Sequence, residues 1–178
     1  MRARLPVAAL LGLMIAADAR AEEALEYSVK AAYLPKFIPF ITWPDTAFAA
    51  PNAPMTICVL GTDPFGGKLE QAVEDLKSGE RTIVVRYLPA PDASASCQLA
   101  FLGKDDEAAA EEMLEAVRGK PVVTVTDIGL KTQGIISFVM AANQVRFDID
   151  ESAAAQSGVV ISSKLLSLAR TVKPRDQP

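Results

Sequence analysis

The sequence predicts an α/β domain: a mostly parallel sheet with helices on both faces and an antiparallel hairpin at one edge. Three observations carry this expectation. Short apolar runs rich in β-formers recur between helix-like segments, each bounded by Pro, Gly or polar residues. That alternation is the pattern of parallel strands buried on both sides. Near the C-terminus two strand-like runs follow one another with only Ala141-Ala142-Asn143 between them, which predicts a hairpin.

Before any of this comes a leader. Arg2 and Arg4 form a basic start, Leu5–Ala17 is apolar, and two small-x-small sites follow, Ala17-Asp18-Ala19 and Ala19-Arg20-Ala21. These are the three parts of a secretory signal, so residues 1–21 are expected to be cleaved near Ala21 and the rest exported to the periplasm. The apolar run stops at Asp18, short of the roughly 18 residues needed to span a bilayer. No Cys follows it, so no lipid anchor is expected.

Residues 22–178 then form one domain of ordinary size. Glu23–Leu34 reads as a helix, interrupted by Pro35 and Pro39, with Pro35–Ile41 as a second short piece. Strands are expected at Met55–Leu60, Arg81–Leu88, Cys97–Leu102 and Val122–Thr126, alternating with helices at Phe65–Leu76 and Glu107–Val117, the first capped from Thr62-Asp63 and the second by Asp105. The hairpin is expected at Ile135–Met140 and Gln144–Ile149. A short helix at Glu151–Gln156, an extended piece at Gly158–Ile161, a last helix at Ser163–Val172 and a loose polar tail complete the chain.

Composition excludes several functions. Removing Arg2, Arg4, Arg20 and Asp18 leaves 15 basic and 21 acidic side chains, a charge of −6. Such a chain suits neither nucleic acid nor an anionic membrane surface. It contains no His, which removes the commonest general base and metal ligand. No catalytic residue, metal site or cofactor is expected. Gly61-Thr62-Asp63-Pro64-Phe65-Gly66-Gly67 fits neither glycine-rich phosphate motif and reads as a βα turn. Asp105-Asp106-Glu107 with Glu111-Glu112 is helix-start charge and a wet face. Asp148-Ile149-Asp150-Glu151 lacks the ligand spacing of a Ca²⁺ loop and reads as a strand running into a helix cap. The two cysteines, Cys58 and Cys97, are expected to pair in an oxidising compartment.

The pieces together resemble the YfiR-type periplasmic proteins. The matching segments are Val29-Lys30-Ala31-Ala32-Tyr33-Leu34 through Lys36-Phe37 to Trp43-Pro44, Ile57-Cys58-Val59-Leu60-Gly61 with Asp63-Pro64-Phe65, and Cys97-Gln98-Leu99-Ala100-Phe101-Leu102. They continue with Val123-Thr124-Val125-Thr126-Asp127, Gly134-Ile135-Ile136, Val145-Arg146-Phe147-Asp148-Ile149 and Ile161-Ser162-Ser163-Lys164-Leu165-Leu166-Ser167-Leu168-Ala169. The resemblance implies a periplasmic α/β domain, often a homodimer, without known catalysis. Such a protein binds the periplasmic part of an inner-membrane diguanylate cyclase and holds it off, keeping cyclic-di-GMP low and restraining biofilm formation. Cys58 and Cys97 match a family disulfide position; a second Cys pair carried by some members is missing here.

Two readings follow. In the first the chain is a regulatory binding module whose partner surface draws on Tyr33, Phe37, Phe40, Trp43, Leu165 and Leu168. In the second it binds a small ligand at the carboxyl ends of the strands, with Thr62, Asp63, Lys104 and Asp127 as lining groups. An exposed apolar surface favours the first reading; a closed pocket with converging polar groups favours the second.

Overall fold

The computed structural model describes residues 8–175, with side chains from Arg20 onward. The basic start of the leader, Arg2 and Arg4, lies outside the described residues. Among those described, no helix is long and apolar enough to cross a membrane.

The chain opens with helix α1 (Ala8–Phe37), continues as a 3-10 turn (Ile38–Phe40) and enters β1 (Ile41–Thr42). The expected break at Pro35 does not occur. Pro35 sits within the last turn of α1, so only a terminal backbone bond is lost, and burial of Leu34, Phe37 and Ile38 holds that turn in place. The interruption falls instead at Ile38-Pro39, where the helix tightens before ending.

The main sheet uses β2 (Met55–Leu60), β3 (Lys77–Ser78), β4 (Arg81–Leu88), β5 (Leu99–Leu102), β6 (Val123–Thr126), β7 (Ile136–Ala141), β8 (Gln144–Asp150) and β10 (Thr171–Lys173). Their order across it is β10-β8-β7-β6-β5-β2-β4-β3. From β4 to β7 all neighbours are parallel. The hairpin β7–β8 and the short β3–β4 pair are antiparallel. Strand β9 (Val160–Ile161) pairs with β1 in a separate two-stranded ribbon.

Alternation along each central strand divides the core between the two faces. Ile57, Val59, Leu99, Phe101, Val123, Val125, Ile136 and Phe138 face a large cluster closed by α1 and by α2 (Lys68–Val73). Cys58, Leu60, Ala100 and Leu102 face a smaller one closed by α3 (Glu107–Ala116) through Ala110, Met113 and Val117. The Cys58–Cys97 disulfide lies in this second layer, with Cα atoms 5.7 Å apart.

Several local expectations need correction. The helix expected over Phe65–Leu76 is only α2. The Asp63 carboxylate accepts the Phe65 and Gly67 N–H groups at 2.7 and 3.3 Å and so caps a turn, while Gly66 and Gly67 take positive φ and delay the helix to Lys68. Asp106, not Asp105, caps α3, accepting the Ala109 N–H at 2.9 Å. The final helix, α5 (Ser163–Leu168), is capped by Ser162 and stops early. Thr171–Lys173, expected to be helix end and loose tail, instead adds β10 in parallel to β8, outside the hairpin. The hairpin's end does run into a cap: Asp150 accepts the Ala153 N–H of α4 (Glu151–Gln156) at 2.8 Å.

Candidate functional site

Helix α1 borders both the strand-end crevice and the groove beside the hairpin, because it has two apolar sides. Tyr27, Lys30, Ala31, Leu34 and Phe37 point inward and are buried. Towards its C-terminus the inner side is aromatic. The Phe37 ring packs edge-on against Phe147 at 5.0 Å and near Phe138 at 6.0 Å, and Tyr33 stacks beside it at 5.8 Å.

One turn earlier the inner side is ionic. Lys30 has no exposed surface, and its ammonium donates to both Glu26 and Asp127. Asp127 follows β6 and is itself buried; it also accepts the Tyr27 hydroxyl and the Ile128 N–H, both at 2.7 Å. The lysine nitrogen lies 4.4 Å from the Tyr27 ring centroid. Burial first, then the bond to Asp127, pushes the Tyr27 hydroxyl far above the usual phenol range, so it stays a proton donor. The ammonium is thus matched by two carboxylates in a site where an unpaired charge would cost several kcal/mol.

This lock decides what is left of the strand-end site. In an open parallel sheet the ligand crevice lies where successive connections diverge. Here that place is β2, from which α2 leads to β4 on one side while β5 takes the other. A crevice of about 290 Å³ does open there, among Tyr27, Leu60, Thr62, Pro64, Asp105 and Asp106. Of the four expected lining groups, only Thr62 reaches it. Asp63 is spent on its turn, and Asp127 is spent on Lys30 and Tyr27. Lys104 pairs with Glu23 at 2.9 Å, a bond that raises its pKa and lowers that of the glutamate.

The expected partner-surface residues separate in the same way. Phe37, Trp43 and Leu165 are core, and Tyr33 and Phe40 are half-buried against it. Trp43 also donates its indole N–H to the Gln98 carbonyl at 3.0 Å. Leu168 alone is largely exposed, at 57%. These six do not form one surface.

A different apolar surface is present. On the outer side of α1, Leu25 is 66% and Val29 36% exposed, and across a gap Met140 of the hairpin is 44% exposed. With Tyr33 and Val145 they line a groove of about 340 Å³. The same strip continues past Val29 to Ala32 and Lys36. Sequence reasoning did not single out Leu25 and Val29, which read only as apolar positions at helical spacing. The available signal was that Leu25, Val29 and Ala32 and the set Tyr27, Ala31 and Leu34 are both apolar yet lie on different sides of one helix.

It also passed over Gln98, whose side chain accepts the Thr56 N–H at 2.8 Å and donates to the Ala47 carbonyl at 2.6 Å. That clasp fastens the Trp43–Ala47 segment to the starts of β2 and β5. Among the described residues, no group of three or more His, Cys, Asp or Glu side chains is placed to hold a metal ion.

Comparison with known families matches residues 27–170 to the model described as YfiR/HmsC-like. The match runs from Tyr27 on the inner side of α1 to Arg170, just before β10, and so takes in Lys30 and Asp127 of the ionic lock, the parallel strands from β4 to β7 and the hairpin. The chain belongs to the YfiR/HmsC-like family.

Proposed function

We propose that the chain is exported to the periplasm and acts there as a regulatory binding protein, holding an inner-membrane diguanylate cyclase inactive by contact with its periplasmic part. The family match supports the class of activity. The observation that carries the reading is the exposed apolar groove between Leu25 and Val29 on the outside of α1 and Met140 of the hairpin. Exposed leucine, valine and methionine gathered beside a groove are what a protein partner covers. Repression requires that the chain bind the cyclase's inactive arrangement more tightly than its active one; a preference of about 1–3 kcal/mol changes a poised enzyme's activity several-fold. Deleting the gene is expected to raise cyclic-di-GMP, and returning an exported copy to lower it, with the cyclase co-purifying from membranes. Unchanged cyclic-di-GMP and no cyclase among the captured proteins would contradict the proposal.

The strand-end crevice supports a second reading, a small-ligand site without a cyclase partner. It is the weaker one, because Asp63, Lys104 and Asp127 are each bonded elsewhere: to the turn at Phe65 and Gly67, to Glu23, and to Lys30 and Tyr27.

A further inference from the structure

The groove between α1 and the hairpin is apolar along its length and acidic at one end. Leu25 and Val29 line it with Met140 and Val145, and Glu22 and Glu26 line it beside them. Among the described residues, no Lys or Arg lines it. Glu26 differs from an ordinary surface carboxylate. Lys30 holds it through Oε1, and its side chain is only 19% exposed. That same ammonium is shared with Asp127. Two carboxylates therefore face one cation, and the excess negative charge emerges at Glu26, the member of the lock that reaches the groove. Cleavage near Ala21 places an α-amino group at Glu22, which that residue's own carboxylate offsets, so the excess stays with Glu26. Because a buried partner already fixes the Glu26 side chain, little conformational freedom is lost when it takes a second one.

We infer that the groove takes an apolar segment of a protein partner that carries a Lys or Arg, with the apolar side chains between Leu25, Val29 and Met140 and the cation on Glu26. This rests on the function proposed above and names the part of the partner that the groove reads. The length of the strip argues for a polypeptide. It continues past Val29 to Ala32 and Lys36, and from Glu22 to Lys36 it runs about 21 Å at 1.5 Å per residue. Charge then selects among apolar segments. One without a cation would cover the Glu26 carboxylate and leave its excess charge unmatched, which disfavours that partner. Lys36 at the far end repels the cation that Glu26 attracts, so the segment can lie in one direction only.

The test is fluorescence anisotropy on the purified exported protein with two dye-labelled synthetic peptides, one of leucine and lysine, the other with glutamate in place of every lysine. The leucine–lysine peptide is expected to bind about tenfold more tightly. Glu26→Gln should weaken it about fivefold and Glu26→Asp should recover most of the loss, while Val29→Ser should weaken both peptides. An acidic chain attracts lysine anywhere on its surface, so Glu111→Gln, on the exposed side of α3, is the control and should change nothing. Melting temperatures show whether a variant has lost its fold; Val29→Ser and the comparison of the two peptides do not depend on the lock. Equal effects of Glu26→Gln and Glu111→Gln overturn the inference. So does indifference to Val29→Ser, or a dimer in sedimentation that Val29→Ser dissociates, which would give the groove to a second copy. A chain that lowers cyclic-di-GMP but shows no preference between the peptides would remove the inference and leave the function standing. A preference that depends on Glu26, in a chain without effect on cyclic-di-GMP, would do the reverse.

Discussion

The two sides of α1 are made of similar residues and do opposite things. On the inner side, Tyr27, Ala31, Leu34 and Phe37 are sealed against the sheet, and the single charge among them, Lys30, is matched by Glu26 and Asp127. On the outer side, Leu25, Val29 and Ala32 meet no such cover, and the charges at the ends of the strip, Glu22 and Lys36, are exposed. Folding accounts for the first side and leaves the second unexplained. An apolar seam that folding does not use is a surface for association, and that separates structure from function within one helix.

Breaking the inner side should have the largest effects. Phe37→Ala removes a ring that touches Tyr33, Phe138 and Phe147, and is expected to cost about 3–5 kcal/mol, read as a loss in urea midpoint. Lys30→Ala strands the buried Asp127 carboxylate and should cost about the same. A double-mutant cycle with Asp127→Ala should return a large coupling; additive losses would mean the two groups do not form one lock. Reducing the disulfide should destabilise by about 2–4 kcal/mol, since it closes a 39-residue separation. Reduction that leaves the melting temperature unchanged would show the bridge adds nothing.

The outer side should respond in reverse. Leu25→Glu is expected to change stability by less than about 0.5 kcal/mol. A large loss would mean that Leu25 belongs to the core.

The smallest expected effect concerns the sheet edge. Arg170 holds Asp148 below the usual carboxylate range, and this pair helps fasten β10 to β8. A depressed carboxylate stabilises above its unfolded pKa, and that contribution is lost as pH falls through its folded value. Amide protection at Thr171–Lys173, after correction for intrinsic rates, should therefore fall more than that of the central strands as pH is lowered below about 4. Uniform protection across β10 and β6 would contradict the edge role.

The strands of the parallel sheet were legible in the sequence because each is a short apolar run closed by a breaker, as Pro54 and Gly61 close β2. Strand β10 was not. Leu165, Leu166 and Leu168 carry helical spacing up to it, and only its pairing with Asp148–Asp150 makes Thr171–Lys173 a strand. Length was misjudged for α2 because positive φ at Gly66 and Gly67 is a backbone property that periodicity does not report. The ionic lock was hidden for a related reason. A lysine among apolar residues reads as the wet edge of an amphipathic helix until its partner, 97 positions away, is brought to it. The aromatic residues Phe37 and Trp43 could be placed on a surface only while the hairpin rings and Gln98 that cover them were still unplaced.

If regulation runs through the outer face of α1, its apolar residues should be needed for it and not for folding. Cyclic-di-GMP should be measured in a deletion strain supplied with the exported chain, either unaltered or as Leu25→Glu, with the two proteins matched in abundance and melting temperature. The unaltered chain is expected to lower cyclic-di-GMP, and Leu25→Glu to leave it at the deletion level. A Leu25→Glu chain that lowers it as well as the unaltered one would place the regulatory contact elsewhere on the protein.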